Sequence, residues 1–278
     1  MARKAAIGAR LGQGQIPMKI LHDGDETLPD KKNDELIVVY TMGKVASSSV
    51  AEALGKADID YCDVHTLAQK RYLDILRAHM NNPDFKKIPR HLMDSLNVWN
   101  AIKADRPIKI ISLLREPVSR NTAAVFQNLP ISLQDDEEEI LERLRNYPAN
   151  QLDRWFDEDF IPLTGLDVFS MDIDPSAGHF EFGNDEYDVL MLKVDLDDER
   201  KSELISQFVG HEVTVERSNE AKSKWYADIY SKLRTDRRVL SKEFLEACMS
   251  LKYFRTFYSL EERRAVAERY SYTGQIEE

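Results

Sequence analysis

Strands alternating with helices predict an α/β fold, a central parallel sheet with helices on both faces. Two observations carry this expectation. Leu36–Tyr40 and Ile108–Leu114 are unbroken β-prone apolar runs, as a parallel strand buried on both faces requires. Each leads into a segment of helical character, Ala46–Lys56 in one case and Pro117 to about Asn128 in the other. With 278 residues, 42% of them apolar, the chain can bury one sizeable core, and residues 34–278 are expected to form a single domain. Residues 1–33 mix Gly, Gln, Lys and Asp without sustained period and read as a leader or loosely held arm.

The remaining elements follow the same logic. Ile59–His65 reads as the second strand. Leu67–Met80 carries Leu67, Tyr72, Ile75, Leu76 and Met80 at roughly helical spacing, and a further helix is expected over His91–Ala104. Pro117 suits a first helical turn, where a missing N–H costs nothing. Tyr187–Val194 reads as a strand, Asp197–Phe208 as a helix, and 221–269 as mostly helical. No internal repeat is visible.

Composition narrows the function classes. A net charge of −11 argues against a general nucleic-acid binder, which needs a basic face to displace counterions. Any anionic ligand must be met by local positive groups. The acid runs Asp135–Glu139 and Asp195–Glu199 read as solvated surface. Cys62 and Cys248 show neither a disulfide framework nor zinc spacing, which fits a reducing cytoplasm. Arg3, Lys4, Arg10 and Lys19 precede no apolar signal core, and the longest apolar runs are far too short to span a bilayer. A soluble protein is expected.

The chemistry concentrates between the first strand and first helix, in Thr41-Met42-Gly43-Lys44-Val45-Ala46-Ser47-Ser48-Ser49. A helix start offers unpaired N–H groups and the positive end of its dipole to an anion, and Lys44 and three hydroxyls add to both. It is not a Walker A loop: no Gly stands five residues before Gly43, and Val45 replaces the Ser or Thr that would hold magnesium. Three serines can also simply cap a helix.

The same segment resembles the 5′-phosphosulfate loop of sulfotransferases that use 3′-phosphoadenosine 5′-phosphosulfate (PAPS), in the run Lys44-Val45-Ala46-Ser47-Ser48. A second segment, Leu114-Arg115-Glu116-Pro117-Val118-Ser119-Arg120, resembles that family's 3′-phosphate element, in which an Arg leaves a strand end and a helix Ser completes the grip. The planar fork of Arg115 suits a phosphate. The family's Ser, eight residues after the Arg, is here Ala123; Ser119 or Thr122 could substitute, with Ser119 favoured. A third segment, Ser218-Asn219-Glu220, Lys222 and Lys224-Trp225-Tyr226 with Tyr230, resembles the Lys-Trp-Tyr signature of a sulfotransferase-like group of capsular polysaccharide synthesis proteins, though Ser223 and Ala227 depart from it. Trp225 and Tyr226 read equally as core or as cofactor contacts; Lys222 and Lys224 could neutralise the nucleotide.

These resemblances imply a P-loop-like sulfotransferase fold, PAPS as cosubstrate without a metal, and sulfuryl transfer to an acceptor hydroxyl, on a glycan if the capsular likeness extends to substrate. Gly43 to Ser49, Arg115, Ser119, Thr122, Lys222 and Lys224 would bind the nucleotide, with Lys44 facing the leaving phosphate. Related enzymes use His or Glu as base. Here His65, at the carboxyl edge of the second strand, is the candidate, with a local structural role as the alternative. Asp63 lies two residues deeper on the same face, and His91, His179 and His211 fall outside the recognised segments. Trp155, Phe156, Phe160 and Phe169 either cover the acceptor cleft or pack. Two other readings stay open, a metal-independent kinase or nucleotidase of the same fold and an inactive module that binds the bisphosphate product (PAP).

Overall fold

A computed structural model describes residues 35–81, 86–127, 129–133, 136–216, 225–230 and 240–277. The expected N-terminal arm, residues 1–33, lies outside them. Five strands form one sheet in the order β2-β1-β3-β5-β4, namely β1 Leu36–Tyr40, β2 Tyr61–Val64, β3 Ile108–Leu114, β4 His179–Gly183 and β5 Tyr187–Lys193. β2, β1, β3 and β5 run parallel, with Leu36 opposite Ile108 and Ile108 opposite Tyr187. β4 is antiparallel to β5, so the expected all-parallel sheet carries one reversed edge strand.

Every residue of β1 is buried, and in β3 and β5 only Lys109 and Asp188 escape full burial. Alternate residues face opposite sides, so both faces of the sheet centre are covered. The helices α1 Ser47–Lys56, α2 Gln69–Met80 and α3 Arg90–Lys103 follow β1 and β2, and α4 Pro117–Gln127 follows β3. α5 Glu137–Arg145 was not anticipated: Glu137–Glu139 of the acid run form its first turn, capped by Asp136, and Ile140 and Leu144 are its buried residues. α6 Gln151–Trp155, a π-helical turn Phe156–Phe160 and α7 Ile161–Thr164 follow. After the sheet come α8 Asp198–Val209, α9 Lys242–Met249, α10 Lys252–Phe257 and α11 Leu260–Arg269. Among the described residues no helix is long and apolar enough to cross a membrane.

The π turn sits in the core. Trp155, Phe156 and Phe160 are fully buried and Phe169 packs on Phe156, so these rings are packing, not a cover over a cleft. The same turn delivers Asp159, 1% exposed, to the loop after β2. Its carboxylate accepts from the Tyr40 and Thr66 hydroxyls and, at 2.7 and 2.8 Å, from the Leu67 and Ala68 amides. Four donors from β1 and the β2–α2 loop thus converge on one residue far along the chain.

Removing that acceptor leaves four donors unsatisfied, three of them buried, so Asp159→Ala should lower the unfolding free energy by about 2–4 kcal/mol. Urea denaturation followed by circular dichroism reads the loss; a change under about 0.5 kcal/mol would mean that the loop is held by something else.

Candidate functional site

From β1 the chain moves outward to β2 on one side, whereas from β3 it moves outward on the other side to the β4–β5 pair. The connections diverge between β1 and β3, and at such a switch point the carboxyl ends of the strands leave a crevice. The Lys44 loop leaves β1 and Arg115 leaves β3 at this point, side by side.

Three residues of the loop adopt left-handed backbone, Gly43 at φ 75°, Lys44 at φ 64° and Ala46 at φ 59°. For Lys44 and Ala46 this costs about 1–2 kcal/mol each, so the surroundings must impose it. Around Lys44 they act through carbonyls. Arg120 Nη2 donates to Met42 O at 2.8 Å and Nε to Gly43 O at 3.3 Å, while Arg115 Nη1 donates to Lys44 O at 3.1 Å. Each peptide unit is planar and none is cis, so the N–H across each unit points the opposite way from its carbonyl. The amides of Gly43, Lys44 and Val45 therefore face away from the two guanidiniums.

α1 begins without a side-chain cap at Ala46 and without an acid in its first turn. Its serines differ in use: Ser47 is buried, Ser48 is exposed, and the Ser49 hydroxyl donates back to Ala46 O at 2.9 Å. The positive end of this helix thus meets no capping side chain or first-turn acid. Val45 is fully buried core. At α4 the opposite holds, because the Glu116 carboxylate accepts from the Val118 and Ser119 amides at 2.8 and 3.0 Å and from the Tyr270 hydroxyl at 3.2 Å.

Arg115 Nε donates to Ser119 Oγ at 3.0 Å, joining the two residues expected to act together. Tyr253 in α10 steadies the turn by donating to Arg115 O at 3.0 Å. Thr122 is buried and its hydroxyl donates to Val118 O at 2.7 Å within α4, so the structure does not bring it to the crevice. Lys222 and Lys224 lie outside the described residues. Trp225 and Tyr226 are partly buried, and Tyr226 and Tyr230 pack on Phe126 of α4 with ring centroids 5.5 and 5.1 Å away. Their place is in packing.

His65 follows β2 directly and borders the loop: a Cβ on Gly43 would lie 3.7 Å from its Cδ2. Trp155 Nε1 donates to its carbonyl at 2.9 Å, and Asp159 holds the next residues. Thr41 Oγ1 lies 3.5 Å from Nδ1. Burial and then the Lys44 charge push its pKa below the ordinary histidine value near 6.5, so the ring is neutral at neutral pH and titrates lower than an exposed histidine. His91 stacks on it, centroids 5.3 Å apart, and burial, with His65 and His79 nearby, lowers His91 to about 4. Asp63 is engaged with the Asp94 side, where burial and Asp94 raise it to about 6. Among the described residues no group of three or more His, Cys, Asp and Glu is placed to hold a metal ion.

Arg120, His91 and Asp159 are the residues that sequence reasoning missed. For Arg120 a signal existed: it lies four residues before Ala124 on the buried side of α4, a charge on an apolar stripe. For the other two no local signal exists.

Comparison with known proteins gives one family match. Residues 130–259 match the model of a family described as "Putative capsular polysaccharide synthesis protein". Over that stretch the chain is similar to this family. The match covers just under half of the chain, spanning α5 to α10 with the Trp225-Tyr226 segment, and it leaves out the Lys44 loop and Arg115. No curated protein and no solved structure gives a significant match.

The stacked neutral imidazoles set a pH dependence. Their folded pKa values lie below the unfolded value near 6.5, so the stability they allow is complete above that pH and declines as pH falls toward 4, where the unfolded chain binds the extra protons. The urea midpoint should drop from pH 7 to pH 5, and His91→Gln should reduce that drop; an identical drop in the variant would assign the effect to other groups.

Proposed function

We propose that the chain is a PAPS-dependent sulfotransferase acting on an acceptor hydroxyl. The observation that carries this reading is the pairing at the switch point: an uncapped α1 with Lys44 on one side, the Arg115–Ser119 pair on the other, tied by the Arg115 bond to Lys44 O. Two cationic elements, one following β1 and one following β3, suit a ligand with phosphates at two positions. The residues fit it chemically. The amides of Gly43, Lys44 and Val45, the α1 start with Ser47, Ser48 and Ser49, and the Lys44 ammonium would receive the 5′ group, and the Arg115 fork and Ser119 hydroxyl the 3′-phosphate.

The reaction breaks the bond from sulfur to the bridging oxygen and forms one from sulfur to the acceptor oxygen. Negative charge would grow on the departing bisphosphate, where the Lys44 ammonium and the loop amides would stabilise it. The acceptor proton goes to His65, which burial keeps neutral and able to take it. A saccharide acceptor is supported by the family description alone.

Calorimetry in EDTA tests the nucleotide site: PAP should bind at least about tenfold more tightly than adenosine 5′-phosphate, and equal affinities would remove the 3′-phosphate site. Tight PAP binding without turnover of PAPS would leave a binding module.

Turnover separates the roles. Lys44→Ala should lower kcat at saturating PAPS by more than Arg115→Ala does, because only Lys44 faces charge that grows in the transition state. His65→Ala should lower kcat about a hundredfold or more with PAP affinity nearly intact, and should abolish an acid limb lying below about pH 6.5. A Lys44 variant with raised KM and unchanged kcat, or a His65 variant that keeps the limb, would reassign those roles.

A further inference from the structure

Arg120 is 5% exposed, and a guanidinium stays charged even where burial lowers its pKa. Its partners are all neutral oxygens: Met42 O, Gly43 O, Asn121 Oδ1 at 3.0 Å and the Tyr147 hydroxyl at 3.2 Å. Among the described residues it has no carboxylate partner. Lys193 and Lys201, buried as deeply, are paired with Glu262 at 2.5 Å and Asp198 at 3.3 Å, whereas Arg263, also 5% exposed, donates to Glu277 O. A buried cation without a counter-charge is costly and is retained where something else supplies the negative charge. The nearest acid along the helix, Glu116, is turned to the α4 amides and Tyr270.

What Arg120 does hold is the rear of the Lys44 loop. The two carbonyls it binds belong to the peptide units whose N–H groups, on Gly43 and Lys44, face the other way. Its charge therefore lies behind a row of outward amides. We infer that Arg120 is a positioning residue and the buried half of an ion pair whose other half is the ligand, a phosphate- or sulfate-type oxyanion received by the amides of Gly43, Lys44 and Val45. This rests on reading the loop as an oxyanion site, and not on which nucleotide carries the oxyanion. The guanidinium fixes the loop by two hydrogen bonds and adds a positive potential that water screens poorly.

His65 reports that potential without any ligand. It borders Gly43 and is faced by Lys44, Thr41, His91 and Trp155, and the Arg120 charge is one of the influences that hold its pKa down. The experiment is NMR titration of the His65 ring in the ligand-free protein, with calorimetry of PAP and of inorganic pyrophosphate, for wild type, Arg120→Gln and Arg120→Lys. In Arg120→Gln the His65 pKa should rise and both affinities fall at least about tenfold. Arg120→Lys should keep the low His65 pKa and recover part of the affinity. A folded Arg120→Gln with wild-type affinities overturns the inference, and so does one that loses affinity while His65 titrates unchanged, since that is a purely structural role. If Arg120→Gln does not fold, Arg120→Lys decides: the inference holds if the low pKa and measurable pyrophosphate binding persist, and falls if either is lost. Wild type that binds pyrophosphate but not PAP sinks the nucleotide reading and leaves this one standing; wild type that binds neither sinks both.

Discussion

Three consecutive carbonyls, on Met42, Gly43 and Lys44, are turned toward β3 and α4 and taken by the guanidiniums of Arg120 and Arg115. That arrangement brackets the left-handed backbone of Lys44, a residue with a Cβ that would otherwise relax out of it. It depends in turn on the sheet: β1 and β3 are parallel neighbours, so the segments leaving them emerge side by side at one edge. Behind the turn stand α10, through the Tyr253 hydroxyl on Arg115 O, and the end of α11, through Tyr270 on Glu116. Distant parts of the chain thus stabilise one short loop.

The same loop also shows how an acidic protein can gather positive side chains in one place. A net charge of −11 describes the whole surface, whereas Lys44, Arg115 and Arg120 share one strand edge and the acid beside them is occupied with helix amides. Local geometry, not the sum of charges, sets the potential an incoming ligand meets. The histidines beside the loop add no positive charge near neutrality, because burial disfavours their protonated forms.

Much of the fold is legible in the sequence because burial on both faces leaves no room for polar interruption. Leu36–Tyr40 and Ile108–Leu114 appear at those limits, and α1 to α4 begin and end within about two residues of expectation. β4 is not legible: His179-Phe-Glu-Phe-Gly is short, pairs on one side only and alternates weakly. The turn Phe156–Phe160 is equally opaque, since a run of aromatics among acids fits a surface lid as well as a core. In the site, Lys44, Arg115 and Ser119 are readable because their pattern is local. Arg120, Asp159 and His91 act on backbone carbonyls, on amides 91 and 92 residues away, or through ring stacking, and only the assembled fold brings those partners to them.

The two helices that open on the crevice are not equivalent. α1 begins with its amides uncapped, whereas α4 is closed by the carboxylate of Glu116. A ligand negative at both ends would find one helix dipole to receive it and, on the other side, only side-chain donors standing in front of a fixed negative group. The crevice therefore has a polarity. In the function proposed above, one end of the ligand would meet a helix dipole and the other only the Arg115 and Ser119 side chains, so two isomers that differ only in which end carries which group would be distinguished by direction.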